Sequence, residues 1–198
     1  MSRLIKDKLM GLLSSILSRT LFRRSFNDID RMLEDVRAGK PIPKTAPDPK
    51  SGKLELIGSR LSYSSPDYGE WEIPIDDVVV FGEYTTDNGP TIDDWFMVFV
   101  LHDHTWVEAS NYCAGADEVR DALAKRWSME SLYGALWGQT DFASRAIWPI
   151  KLTGQPLFHF TPRPQSWWEK IKSFGLGLID KDLSQEVRNH LNDRQAGE

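Results

Sequence analysis

A single cysteine, Cys113, and only four histidines occur in a chain of 198 residues. One cysteine cannot form an internal disulfide, and it excludes zinc sites built on paired cysteines. This usage is typical of a reducing compartment, so the sequence predicts a cytoplasmic protein. No apolar stretch is long enough to cross about 30 Å of hydrocarbon, and no small-residue cleavage site follows the first apolar segment. We therefore predict neither a transmembrane helix nor a secretory signal.

The motifs of common enzyme classes are also missing. The sequence contains no glycine-rich dinucleotide motif, no P-loop, no GxSxG and no HExxH. His102 and His104, with Glu108 as a distant third, are the best metal-ligand candidates, but a zinc site needs three or four ligands. Cys113 lies in no nucleophile signature, so a buried thiol is the favoured interpretation. We predict no cofactor, no metal and no catalytic residue, and an enzyme with an unrecognised site ranks last among the hypotheses.

Charge is distributed unevenly along the chain. The net charge is −5, but residues 1–26 carry six basic residues against one acid, so the remainder carries −10. An acidic body repels phosphate, which argues against nucleic acid as a partner. The same acidity suits electrostatic pairing with a basic protein.

An N-terminal helical arm is predicted over residues 1–38, with helices at 4–17 and 28–38. In the first, apolar residues recur at helical spacing and basic residues flank the apolar face. Such a helix lies on an anionic membrane surface, docks into a partner's groove, or packs on its own body. The predicted membrane- or partner-binding residues of the arm are Arg3, Lys6, Lys8, Leu9, Leu12, Leu13, Ile16, Arg23 and Arg24.

A linker with four prolines is predicted over residues 39–52, and a β-rich body over 53–198. Period-two patterns predict strands at 53–57, 60–64, 70–75, 78–85, 95–101 and 106–112. The turn signals at 87–90 and 102–104 predict hairpins. Residues 116–127 have acids first, bases last and an apolar stripe between, which predicts a helix that caps the sheet.

The C-terminal third is less regular. Residues 129–156 carry no assignable pattern apart from their aromatic residues, whereas 157–160 reads as a strand. Helices are predicted at 167–174, after a capping box at Ser166 and Glu169, and at 184–193. The predicted fold class is α+β, an antiparallel sheet or split barrel capped by a C-terminal helix, with additional N- and C-terminal helices.

The order of these elements resembles bacterial pleckstrin-homology-like (PH-like) or GRAM-like domains. The resemblance rests on early strands, the segment IPIDDVVV at 73–80, two alternating strands and the helix at 116–127. It implies a bent sheet or split barrel plugged by its final helix, and a domain that binds lipids, peptides or proteins. The first strand connection, near Gly58 and Ser59, is short and lacks the basic cluster of lipid-binding members, which argues against phosphoinositide recognition.

Two further sets of residues are candidate binding surfaces. Trp167 and Trp168 are adjacent on a predicted helix and point about 100° apart, so we expect one to be exposed at a membrane or partner surface. Asp87, Asp93 and Asp94 crowd one loop and are predicted to form an acidic partner-binding face. Four of the eight tryptophans fall in the predicted strands and capping helix, where we expect core packing: Trp71, Trp95, Trp106 and Trp127.

The sequence therefore favours a non-catalytic protein-interaction module, peripheral to a membrane through its basic amphipathic helix. The alternative is an acidic immunity or inhibitor-type protein that neutralises a basic effector. Both hypotheses predict a protein partner, and the first adds an anionic membrane surface. Neither fixes an oligomeric state.

Overall fold

A computed structural model describes residues 47–87, 93–134, 136, 141–162 and 179–195, all within one unit, Thr45–Glu198. This part of the chain is mixed α+β, with antiparallel sheets and two α-helices. The predicted helices at 4–17, 28–38 and 167–174 lie outside the described residues.

The first sheet is a meander of β1 (Lys53–Ile57), β2 (Arg60–Ser65) and β3 (Gly69–Pro74). Gly58 in the first turn has a φ of 63°, in the left-handed region that favours glycine. Alternation along each strand gives the sheet one buried and one exposed face. The buried face carries Leu54, Leu61, Tyr63 and Ile73.

The second sheet contains β4 (Val78–Thr85), β5 (Trp95–Leu101), β6 (Trp106–Ser110) and β7 (Ala143–Trp148) in the order β6-β5-β4-β7. All eight residues of β4 are buried. This central strand has a neighbour on each edge and side chains packed on both faces, so its sequence does not alternate: the run at 78–81 is apolar, and Glu83 and Thr85 are buried as well. The predicted strand at 106–112 ends at 110, because the chain then turns and the Cys113 amide donates to the Ser110 carbonyl.

Helix α1 (Ala116–Arg126) packs against the first sheet through Val119 and Leu123. Gly115 precedes it with a φ of 81°, and a Cβ there would overlap the Leu54 carbonyl. The helix is one residue shorter than predicted. It is also not the last element of the unit, because β7 follows it and pairs with β4.

The second sheet separates two hydrophobic clusters. The first lies between the two sheets and α1 and includes Phe81, Met97, Phe99, Leu123 and Leu132. The second covers the opposite face of the second sheet, where β8 (Phe158–Pro162), β9 (Ile179–Leu183) and α2 (Gln185–Gln195) pack. Its buried members include Val80, Val98, Val100, Leu183 and Leu191.

Several elements differ from the prediction. β7 falls within the segment left unassigned, and β9 was not predicted, since three of its five residues are charged. The predicted strand at 157–160 is β8 at Phe158–Pro162, and the predicted helix at 184–193 is α2. Part of the predicted linker packs on the body: the Asp48 amide donates to the Tyr112 carbonyl, and the Ser51 side chain is buried.

Candidate functional site

The predicted binding residues of the N-terminal arm, from Arg3 to Arg24, and Trp167 and Trp168 all lie outside the described residues. Of the predicted acidic face, Asp87 is exposed, whereas Asp93 and Asp94 are half-buried. The Tyr112 hydroxyl donates to Asp94 Oδ1 over 2.8 Å, and burial raises the pKa of Asp94. The Asp94 carboxylate therefore has an internal partner, which leaves Asp87 as the most accessible acid of the three.

The structure does not bring the three metal-ligand candidates together. His102 and His104 lie in the β5–β6 turn, as predicted, where His104 has a φ of 69° and His102 Nε2 is 3.7 Å from Asp77 Oδ1. Glu108 instead points toward Tyr84 and Lys181. Within the described ranges, no three His, Cys, Asp or Glu residues are placed to hold a metal ion.

Cys113 is 3% exposed, and burial raises the pKa of its thiol to about 12. A protonated, enclosed thiol is a poor nucleophile. The four tryptophans expected in the core pack there: Trp95 is buried, and the others are half-buried against the two clusters. Trp127 also stacks on Trp148 with a centroid distance of 4.4 Å, which joins α1 to β7.

A buried charged cluster lies in the first hydrophobic cluster. Glu83 on β4 is 2% exposed and accepts hydrogen bonds from Trp95 Nε1 at 2.7 Å and from the Leu136 amide at 3.1 Å. Arg120 on α1 is 3% exposed, and its guanidinium lies over the Trp95 and Tyr133 rings. Burial raises the pKa of Glu83 and lowers that of Arg120. Both groups are enclosed by internal partners, so we interpret the cluster as part of the protein core and not as a binding site.

A second charged cluster ties β9 to the second sheet. Lys181 Nζ lies 2.5 Å from Glu108 Oε1 and 2.9 Å from the Tyr84 hydroxyl. The Tyr84 hydroxyl donates to Glu108 Oε2 over 2.6 Å, and Trp106 Nε1 donates to Oε1 over 2.7 Å. Burial, followed by the Glu108 charge, raises the pKa of Tyr84. Both Glu108 oxygens already accept hydrogen bonds, so this cluster also binds the fold together.

The exposed face of the first sheet has a different character, because its polar groups point to solvent. The strand register places its outward residues in three rows across the sheet. The rows are Lys53, Ser64 and Glu70, then Glu55, Ser62 and Glu72, and finally Ile57, Arg60 and Pro74. Short serines on the central strand β2 are flanked by long charged side chains on β1 and β3. The result is a depression that follows β2.

This depression, which we call the outer-face groove, has a volume of about 420 Å³. Its outward lining is Lys53, Glu55, Ser62, Ser64, Glu70 and Glu72. A second depression of about 280 Å³ shares Ser64 and Glu70 with it and continues past Ser65 to Pro66 and Gly69. The two form one path along the sheet, and their lining does not include the row that contains Arg60.

Sequence reasoning did not single out this groove. The outward residues of the predicted strands were available from their period-two alternation, and a serine pair on one strand between charged residues on its neighbours was the usable signal. The β1–β2 turn sets the register that brings Lys53 beside Ser64, the β2–β3 turn sets the register that brings Ser64 beside Glu70, and neither register was predicted.

Neither α-helix of the described residues is long and apolar enough to span a membrane. Comparison of the chain with family models, with curated proteins and with solved structures gives no match.

Proposed function

We propose that this chain is a non-catalytic protein-interaction module whose binding surface is the outer-face groove. The observation that supports the proposal is the path along β2, open to solvent and bordered by the outward polar side chains of three strands. The opposite face of the same sheet is anchored by Leu54, Leu61 and Ile73. A groove on a rigid sheet loses little conformational entropy when a partner binds.

We also propose the PH-like or GRAM-like fold as the finer description of residues 53–127. Its support is the order of a three-stranded antiparallel sheet, a second antiparallel sheet and then α1 on the cluster between them. The pairing of β7 with β4 is an addition to that plan. The groove carries more acids than bases, so it suits a protein better than a phosphate-bearing lipid.

A peripheral membrane role rests on the N-terminal arm alone. Its six basic residues and apolar face support binding to an anionic surface. Flotation with vesicles of phosphatidylserine and phosphatidylcholine tests it on the full chain. We expect the wild type to float and a Lys6→Glu, Lys8→Glu variant to remain in the bottom fraction, and equal behaviour of the two contradicts the role.

The acidity of the groove also supports the alternative of an inhibitor or immunity-type protein with a basic effector as its partner. Both versions use the same surface and differ in the kind of protein bound. Identification of the partner separates them, because a basic hydrolase or nuclease supports the inhibitor version and an assembly or membrane protein supports the module.

Affinity purification of the tagged full chain from its native cell tests the binding surface. Ser64→Tyr fills the groove with a side chain that a strand accepts, and Thr161→Tyr makes the same change at an exposed position of β8. We expect a protein retained by the wild type and Thr161→Tyr to be lost with Ser64→Tyr. Retention by all three, or by none, contradicts the proposal.

A further inference from the structure

We infer that the occupant of the outer-face groove is an extended segment of the partner protein, with a basic side chain placed against Glu70. This inference rests on the proposed function and adds the chemistry and conformation of the ligand. Three observations carry it: the balance of charges on the face, the dimensions of the groove and the polar groups of its floor.

The charges on the face pair among themselves with one exception. Lys53 Nζ is 2.7 Å from Glu55 Oε1, and Arg60 pairs with Glu72. Glu70 is exposed and takes part in none of the ion pairs found among the described residues. It also lies where the two depressions meet. An added cation is therefore favoured at Glu70 more than at any other position along the groove.

The width of the groove suits one extended chain. Neighbouring strands are spaced about 4.8 Å apart, so the walls on β1 and β3 are separated by about 10 Å. Between them the floor is lowered by the short side chains of Ser62 and Ser64. The groove follows β2 from Ser62 to Ser65, a length of about 13 Å at the rise of an extended chain, which suits a segment of about four residues. A helix is about 10–12 Å in diameter with its side chains, so an extended chain fits between these walls better than a helix does.

The floor offers hydrogen bonds that suit a peptide backbone. The hydroxyls of Ser62 and Ser64 can each donate and accept, as a polypeptide's N–H and C=O groups require. Ser65, at the end of the path, is different: its hydroxyl donates to the Lys50 carbonyl and accepts from the amides of Asp67 and Tyr68. Backbone recognition is therefore expected at Ser62 and Ser64, and selectivity at Glu70.

The test pans the immobilised full-length protein against a phage library of random heptapeptides. We expect the enriched peptides to share a lysine or arginine. The strongest of them, synthesised with a fluorophore, is then titrated by anisotropy. Glu70→Gln should weaken its Kd about twofold to fivefold, as expected for one solvent-accessible charged contact. Glu118→Gln, which removes an exposed acid from α1, should leave Kd unchanged.

Salt provides a second measurement. Raising the ionic strength should weaken the wild-type complex more than the Glu70→Gln complex, because only the former contains the charged contact. Enriched peptides without a shared basic residue, no enriched peptide at all, or a Kd indifferent to Glu70→Gln each overturn the inference. These failures differ from failure of the proposed function, which shows as partner capture that Ser64→Tyr leaves intact.

Discussion

The two larger sheets carry charged side chains under opposite conditions. Glu83 in the second sheet is 2% exposed and has two internal hydrogen-bond donors. In the first sheet, the Arg60 and Glu72 side chains pair with each other while 63% and 51% exposed. Burial of a carboxyl group costs free energy unless the group is fully hydrogen-bonded. An exposed ion pair stays hydrated, so forming it changes the free energy little. The same residue types are thus buried and internally hydrogen-bonded in one sheet and open to solvent in the other.

This difference separates stability from binding in the molecule. Substitutions in the second sheet should alter folding, and substitutions on the outer face of the first should alter partner binding while folding is unchanged. The net charge of the chain also counts acids that a partner does not meet, because a buried acid such as Glu83 is not exposed at the surface.

The largest expected effect is in the hydrophobic layer between the sheets. Phe99 is 0% exposed and packs against Phe81 and Trp71 with centroid distances of 5.2 and 5.8 Å. Phe99→Ala should lower the free energy of unfolding by about 3–5 kcal/mol, through lost burial and the cavity that remains. Urea denaturation measures this. Ile57→Ala, at a position 72% exposed, should change it by less than about 0.5 kcal/mol. Equal losses of stability in the two variants would show that the exposed face of the first sheet contributes as much to folding as the core.

Removal of the buried carboxyl group should have the next largest effect. Glu83→Ala leaves Trp95 Nε1 and the Leu136 amide without their acceptor, and it leaves Asp117 as the acid paired with Arg120. We expect a loss of about 2–4 kcal/mol in the free energy of unfolding. The matched change on the outer face, Glu72→Ala, should cost about 0–1 kcal/mol. A small effect at Glu83 would show that the cluster is not needed for the fold.

Stability should depend on pH through the same buried acid. Burial raises the pKa of Glu83 in the folded protein, while the unfolded chain titrates near the ordinary value of about 4.3. As pH rises, the Glu83 carboxyl group therefore loses its proton at a higher pH in the folded state than in the unfolded state. This contribution is complete below the ordinary pKa and is lost as pH rises through the folded pKa. Urea titrations from pH 4 to 8 should show a fall that Glu83→Gln reduces and Glu72→Gln retains, and the raised pKa of Asp94 contributes to the remainder in the same direction. A wild-type advantage over Glu83→Gln that grows with pH would contradict this sign.

The sequence predicted the elements whose patterns depend on local surroundings. β1, β4 and β5 begin and end where predicted, because alternation or an apolar run is bounded by turn residues. β9 was missed because Asp180, Lys181 and Asp182 are charged, and only pairing with β8 and the contact of Lys181 with Glu108 make a strand of them. β7 was missed for a similar reason: its own sequence has no clear strand pattern, and it forms a strand by pairing with the distant β4.

The candidate site was less predictable than the fold. The outward positions of Ser62, Ser64 and Glu70 follow from strand alternation, but a groove exists only once two turns set the register between three strands. The partnering of Asp94 with Tyr112 likewise joins residues from separate elements, and an acid count along the chain gives no sign of it. Which residues of a strand face outward can be predicted from that strand alone. Which charges pair across strands depends on how separate segments of the chain are aligned.

The smallest expected effect is the coupling between Arg60 and Glu72 on the outer face. A double-mutant cycle with Arg60→Ala, Glu72→Ala and both changes together should give a coupling free energy of about 0–1 kcal/mol in low salt. The pair is exposed, so this coupling should shrink further at about 1 M salt, where charges are screened over about 3 Å. Ser64→Ala in the same background is the control, since it removes no charge. A coupling of several kcal/mol that resists salt would mean that the outer face is as strongly structured as the interior. Charged residues of the outer face would then be needed for stability, and their substitution would not separate binding from folding.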